Sequence, residues 1–381
     1  MAGLDHPPAM PHPSGLMSIR SATSALMPLD EALARLLVAE PVGPSVVAVR
    51  EAIGLVLAED VVAVSEHPGR PSARRDGWAV TVGDVTGASV YAPVILPMPP
   101  AWVEDGDEMP SGTDTVLTPD ARDAAGEIVA DAAPGDGASR IGQEIGRGDV
   151  LARAGRHLTP LAALALDAAG IGEVAIRRPR IRVVGIADGP LSPLARAVAG
   201  WTMAAGARVA SAPSARDRDS IASAIAAEEA DAVFVVGGTG FGRTDHSAGA
   251  LAAMGRLDVH GIALRPGESA GFGWIGTVPV LLLPGRPDAA LAAFLTLGRP
   301  LLSRLTGAMV QPGLDASLTR KISSTIGMSE IVFVRVARGG VEPIGGADLP
   351  LRRLILAEGA VLVPPDREGY PEGEHIEIVP L

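Results

Sequence analysis

Continuous apolar strand segments alternating with helical ones between residues 181 and 306 predict an α/β domain whose mostly parallel sheet is covered on both faces. Short β-branched runs broken by Gly, Pro and Asp fill Pro68 to about Leu151, and alternating segments such as EIVFVRVA, AVLVPP and HIEIVPL follow residue 308. The predicted fold class is therefore multidomain, α/β and β. The 381 residues allow about two to four domains at roughly 100–200 residues each.

Residues 1–16 lack a basic segment followed by an apolar run, so they do not read as a signal peptide and are expected to form a flexible tail. Leu29, Leu33, Leu36 and Leu37 share one helical face behind Pro28 and Asp30, which predicts an amphipathic helix. A short helix is expected around Glu51 to Leu57, then a strand in LAEDVVAV. Thr159 and Pro160 form a cap and first helical position ahead of LAALALDAAG, and Gly170 closes that helix. The expected division is a helical region over 17–64 and 152–180, a small all-β insert over 65–151, the α/β domain over 181–307 and a small β-barrel or sandwich over 308–381. Within the α/β domain the expected order is strand IRVVGIA, a helix from Ser192 and Pro193 to Ala205, strand ARVASA, helix 217–229 and strand AVFVV. A glycine loop, a helix near 246–254, strands near 258–264 and 279–283 and a helix from Pro287 complete it.

Composition excludes several function classes. With 47% apolar and 20% charged residues the chain is not mainly disordered, and with 3% aromatics its core is aliphatic and offers little for base stacking. Lys plus Arg is 32 against 44 Asp plus Glu, a net charge of −12, which argues against bulk nucleic-acid or membrane-surface binding but leaves room for a local basic pocket holding a small anion. The absence of Cys excludes disulfides and thiolate chemistry and fits a reducing, cytoplasmic setting. Val278 to Pro284 and Leu291 to Leu297 fall well short of the roughly 20 apolar residues of a membrane span. The seven His show no metal-binding pairing, and no G-x-S-x-G elbow is present.

VVGGTGFGRTD, Val235 to Asp245, is the strongest local signal: a buried strand runs into four glycines within six residues and then into a helix start. Such a loop lets backbone amides and a helix N-terminus approach an anion, at the strand edge where open α/β sheets bind ligands. The competing reading is a tight turn with Asp245 as N-cap. LLLPGRP, Leu281 to Pro287, leaves a second strand with Arg286 placed toward whatever the glycine loop holds, and LRPGES, Leu264 to Ser269, brings Arg265 to a strand end. Pro287 as a helix starter and Arg265 as a solvated charge are the plainer alternatives. In PSARRDGWAV the Asp76–Gly77 pair reads first as a plain turn.

Taken together these segments resemble the molybdopterin molybdenumtransferase family, MoeA and the E domain of gephyrin, over roughly residues 27–381. MPLDEALARLL, EAIGLVLAEDV, DGWAV, PSGTDTVL, GDVLARAGRHLTPLAALALDAAGIGEVAIRRPRIRVV, GGTGFGRTD, LRPGES and LLLPGRP follow the family's order. The resemblance implies an elongated homodimer with a helical dimerisation region, a β-rich lid insert, a three-layer α/β/α molybdopterin-binding domain and a C-terminal β-barrel. It implies a transferase that takes adenylylated molybdopterin and molybdate, cleaves the adenylate in a magnesium-dependent step and releases molybdenum cofactor. The partners implied are the pterin, a second copy of the chain and a molybdoenzyme or cofactor-pathway protein, with no nucleic acid and no membrane.

Carried over residue by residue, the resemblance makes Asp76 and Asp245 catalytic and metal-holding carboxylates and Glu144 a third catalytic group. It places the ligand on Gly237, Gly238, Thr239, Gly240, Gly242, Thr244 and Asp188, and on the turns Arg265, Pro266, Gly267 and Pro284, Gly285, Arg286, Pro287. Several family positions differ. S-A-M-D-G-Y-A becomes Ala73, Arg74, Arg75, Asp76, Gly77, Trp78 and Ala79; T-G-A-P-L-P becomes Asp105 to Pro110; and G-E-D becomes Gly142, Gln143 and Glu144. Gln143 cannot act as a base. Arg74 and Arg75 offer two cations that could replace a divalent ion beside phosphate, or an ordinary surface ion pair. Turns are kept while chemical groups change, so three functions stay open: the transferase, a silent relative that binds molybdopterin or finished cofactor for storage, delivery or regulation, and a scaffold for a protein partner.

Overall fold

The structure, a computed structural model, describes residues 26–187, 192–211, 214–226, 229–310 and 312–381. The tail expected over residues 1–16 and the ligand residue expected at Asp188 lie outside the described residues.

The central sheet has six strands in the order Arg208–Ser211, Arg180–Gly185, Ala232–Val236, Val278–Leu283, Gly271–Ile275, Arg256–His260. The first four are parallel to one another, while Gly271–Ile275 runs antiparallel to the strands on either side. Alternate residues feed two cores: Ile181, Val183, Phe234, Val236, Leu281 and Leu283 one face, and Val184, Val233, Val235, Val280 and Leu282 the other. Burial on both faces is why these strands are apolar at every position. The Gly271–Ile275 strand was not foreseen, because two glycines in GFGWI interrupt its apolar pattern.

Helices Pro193–Ala204 and Pro287–Ala293 pack on the first face, and Arg218–Ile225 and Ser247–Met254 on the second. The Ser192 hydroxyl caps the first of these at the Ala195 amide, as its Ser-Pro start predicts. The helix expected over 217–229 is shorter, with the Asp217 carboxylate accepting from the Asp219 and Ser220 amides at its start. The segment from Pro287 continues through a π turn, Phe294–Gly298, into the helix Arg299–Thr306.

The region expected to be helical over 17–64 and 152–180 is mixed. Strands Ser45–Ala48, Glu173–Arg177 and Val56–Leu57 form an antiparallel sheet, covered through Leu57, Leu158, Leu166 and Ile176 by helices Val49–Ala52 and Pro160–Ala168. The helix expected around Glu51 to Leu57 thus starts earlier and gives way to a strand. Helix Leu29–Leu36 instead buries Leu29, Ala32 and Leu36 in the first core of the central sheet. Thr159 caps its helix at the Ala162 amide and Gly170 follows with φ +74°, as expected.

The segment 65–151 carries short two- and three-stranded pairings around two small cores, one with Val80, Leu117 and Ile128 and one with Ala73, Val103 and Val116. It is not all-β, since Val82–Val85 is a helical turn. The C-terminal strands follow the path Ser329–Ala337, Gly359–Val363, His375–Pro380, Leu314–Ser317, with Gly340–Gly345 paired to Ser329–Ala337. Leu264–Arg265, from the LRPGES turn, joins this sheet in parallel with Ser329 and Glu330.

Candidate functional site

The carboxyl ends of three adjacent parallel strands meet at one edge of the central sheet. The Ile186 amide donates to Val236 O and the Gly237 amide to Leu283 O, each at 2.9 Å, so the strands stay laced to the point where their loops begin. Gly237 and Gly285 face each other across this edge. A Cβ on Gly285 would lie 3.4 Å from Gly237 Cα, so the glycine loop and the PGRP turn meet backbone to backbone.

The loop is shaped by short contacts. Ser247 Oγ donates to Gly237 O at 2.8 Å, and Asp245 Oδ2 accepts from the Gly242 amide at 3.1 Å. Asp245 therefore does not cap the following helix, whose N-cap position is His246. Gly238 has φ +60°, and a Cβ there would lie 3.0 Å from Ser247 Oγ; at Gly240 it would lie 2.5 Å from Asp245 Oδ2. Only glycine fits this path. The amides of Gly238, Thr239 and Gly240 have no hydrogen-bond partner among the described residues. Unpartnered backbone donors of this kind can serve an anion.

Thr239 is buried at 1% exposure and ties the loop to the LRPGES turn, its Oγ1 lying 3.2 Å from Ser269 Oγ. The Thr239 carbonyl accepts from His260 Nε2 at 2.7 Å, so that nitrogen carries a proton. Phe241 lies over the His260 ring with centroids 4.7 Å apart and stays 69% exposed. His260, Ser247, Ser269 and Phe241 were not singled out from the sequence. His260, like the other histidines, has no metal-ligand spacing in the sequence, and its role as a carbonyl donor leaves no spacing signal.

Arg265 and Arg243 are exposed; Thr244 lies on the glycine loop with Arg243, Pro266 and Gly267 on the LRPGES turn with Arg265, and Pro284 on the PGRP turn. Arg286 differs from expectation. Its Nη2 lies 2.7 Å from Asp288 Oδ2 and its Nη1 2.6 Å from Asp348 Oδ1, so both ends of the guanidinium are held by carboxylates. Asp288 is 3% exposed, and its hydrogen bond holds Arg286 above its ordinary pKa. Arg286 is a strut between the Pro287–Ala293 helix and the C-terminal strands, not an unpaired anion ligand.

The candidates in the 65–151 segment have separate surroundings. Asp76 Oδ1 accepts from the Asp105 amide at 2.9 Å, and Gly77 begins a strand, Gly77–Val80, so the Asp-Gly pair is not a turn apex. Glu144 Oε2 is 3.6 Å from His67 Nε2 on the wall of an open cleft of about 680 Å³ that Arg70, Arg74, Asp105 and Glu108 also line. Arg75 is committed elsewhere, with Nη2 2.8 Å from Asp136 and Nε donating to Val116 O at 2.9 Å. It is thus an ion pair within the segment, and only Arg74 reaches the cleft.

The glycine loop fits a phosphate-bearing pterin: its amides are donors and a Cβ would fill the path. Among the described residues no group of three or more His, Cys, Asp or Glu is placed to hold a metal ion, and Asp76 and Asp245 each accept a backbone amide in different parts of the chain.

Three family descriptions match successive stretches: the MoeA N-terminal region (domain I and II) at 27–170, a "probable molybdopterin binding domain" at 194–304 and the MoeA C-terminal region (domain IV) at 315–381. Molybdopterin molybdenumtransferase 2 of Mycobacterium tuberculosis is 30% identical over 395 residues, spanning 88% of this chain and 94% of the relative. The molybdopterin molybdenumtransferase of Haemophilus influenzae is 25% identical over 346 residues, spanning 79% and 84%. The crystal structure of a molybdopterin biosynthesis MoeA protein from Pyrococcus horikoshii superposes with a TM-score of 0.73 at 26% identity, covering 93% of this chain and 99% of that one. The chain belongs to the MoeA family of molybdopterin molybdenumtransferases, proteins of molybdenum cofactor biosynthesis.

Proposed function

We propose that this protein binds molybdopterin with its phosphate on the glycine loop and acts in the metal-insertion step, taking adenylylated molybdopterin and molybdate and releasing AMP. The observation that carries the reading is the run of free amides at Gly238, Thr239 and Gly240, set at the strand edge ahead of the Ser247–Met254 helix. Three preset N–H dipoles stabilise phosphate oxygens without reorganising, and the helix N-terminus adds to their field. Arg243 and Arg265 supply positive charge, while Thr239, locked by Ser269 and His260, fixes the loop's distance from the LRPGES turn. Water would attack the phosphoanhydride, AMP would leave, and the loop would retain the pterin phosphate. In the same reading the chain works as a cytoplasmic homodimer, 65–151 is a lid and 308–381 a barrel.

A second reading, binding without turnover, rests on Gln143. Its Oε1 accepts from the Arg140 amide at 2.9 Å, so an uncharged turn-forming amide stands where the family has a carboxylate. One experiment separates the two: calorimetric titration with molybdopterin and adenylylated molybdopterin, then an assay for released AMP with molybdate, with and without magnesium. Binding with AMP release supports the transferase, binding without release supports a carrier or regulator, and no binding removes both.

A further inference from the structure

The opposite end of the parallel strands carries a second cleft, far along the sheet from the glycine loop. It has a volume of about 400 Å³ and is lined by Arg178, Arg180 and Arg208, with Ser45, Glu51 and Asp231 beside them. Arg180 and Arg208 are in direct register across neighbouring parallel strands. Like charges on neighbouring strands repel. Arg180 is compensated, with Nη1 3.5 Å from Glu229 and Nε 3.9 Å from Asp231. Arg178 and Arg208 are exposed and have no side-chain hydrogen bond or ion pair among the described residues.

The two acids of the cleft are already engaged. Asp231 Oδ2 accepts from the Arg180 amide at 2.6 Å, and Glu51 lies 3.3 Å from Arg50. In a chain with 44 acidic and 32 basic residues, three arginines on one cleft, two of them without a protein partner among the described residues, make a local concentration of positive charge. An anion suits such a place, because guanidinium forks match phosphate oxygens bidentately. Two unpaired guanidiniums on one cleft suit a ligand with two phosphate groups better than one with a single phosphate. The volume is near the low end of small-ligand clefts, about 300–1,000 Å³, and Val42, Leu55 and Ile176 give it an apolar wall.

We propose that this cleft binds a diphosphate-bearing small molecule, as a site separate from the glycine loop. The test is titration calorimetry with inorganic pyrophosphate, ADP and orthophosphate on the full chain, the Arg178→Gln/Arg208→Gln variant and, as a control for the other site, Gly238→Ala. Pyrophosphate is expected to bind the parent chain at least about tenfold more tightly than orthophosphate, with affinity falling as salt rises. The arginine variant is expected to lose this binding while melting no lower than the parent, since like-charge repulsion is gone, and Gly238→Ala is expected to keep it. ADP binding as tightly as pyrophosphate would identify a nucleotide as the source, and weaker ADP binding a free diphosphate. The proposal is overturned if the parent does not bind pyrophosphate, prefers orthophosphate, binds as well without the two arginines, or loses binding in Gly238→Ala.

Discussion

Arg286 and Asp348, remote in sequence, are joined by a 2.6 Å ion pair, and the same guanidinium neutralises the buried carboxylate of Asp288. The turn beside the glycine loop is thereby fastened to the segment that follows strand Gly340–Gly345. The two carboxylates are unequal partners: Asp288 has almost no solvent to fall back on, whereas Asp348 is 80% exposed.

That inequality sets the first expectation. Arg286→Ala leaves a buried carboxylate without its cation and should destabilise the chain by about 1–3 kcal/mol. Asp348→Asn should cost under about 1 kcal/mol, because an exposed pair is screened by water. Urea unfolding of both variants measures the difference, and equal losses would show that the buried pair does not dominate.

The glycine loop yields a coupling. In Gly240→Ala the new methyl must displace the Asp245 carboxylate that holds the Gly242 amide. Its cost should therefore shrink by about 0.5–3 kcal/mol when Asp245→Ala is already present, the range expected for residues in contact. A double-mutant cycle on thermal stability reads this directly; additive costs would mean that the two residues do not meet.

Gly77 is a sharper constraint. Its φ is +156° and a Cβ would lie 1.9 Å from Leu117 O, so Gly77→Ala cannot keep the pairing of Gly77 with Val103 and Trp78 with Leu117. A loss of about 3 kcal/mol or more is expected, in the range of severe backbone clashes. The edge-to-face pair of Trp78 and Trp102, with centroids 5.0 Å apart, should report it as a change in tryptophan fluorescence.

Acid should unwind one helix end before the rest. The Ser220 amide and hydroxyl, with the Asp219 amide, hold Asp217 below its ordinary pKa of 3.8. A carboxylate with a depressed folded pKa stabilises the fold above its unfolded value, and that contribution disappears as pH falls from 3.8 through the lower folded pKa. Amide exchange in the Arg218–Ile225 helix should quicken over that window, and Asp217→Asn, which caps without titrating, should remove the pH dependence.

Gln143→Glu keeps the acceptor that the Arg140 amide needs, so stability should change by less than about 0.5 kcal/mol. If a carboxylate at this position limits chemistry, AMP release should rise while pterin affinity stays level. An unchanged rate would shift attention from Gln143 to the glycine loop.

Much of the α/β part was legible because its strands are buried on both faces and its helices start at Ser192–Pro193, Asp217 and Pro287. Three things were not. The antiparallel strand Gly271–Ile275 is hidden by its glycines, and Val56–Leu57 has a strand partner, Glu173–Arg177, that arrives only after the whole 65–151 segment. The partners of Arg286 are the third: one is a buried Asp two residues on, the other comes from the C-terminal strands. The glycine loop could be read as a turn for an anion, but what tethers it, Thr239 to Ser269 and His260, depends on loops brought together by the sheet.

The first core of the central sheet also takes in Leu29 and Leu36 from the start of the described chain and Ile331, Phe333, Leu354 and Ala360 from near its end. These parts share one core, whereas the 65–151 segment keeps small cores of its own. A change confined to the packing of the middle insert therefore leaves the apolar support of the glycine-loop edge in place. Losing the last strands would strip apolar cover from the sheet that presents the glycine loop.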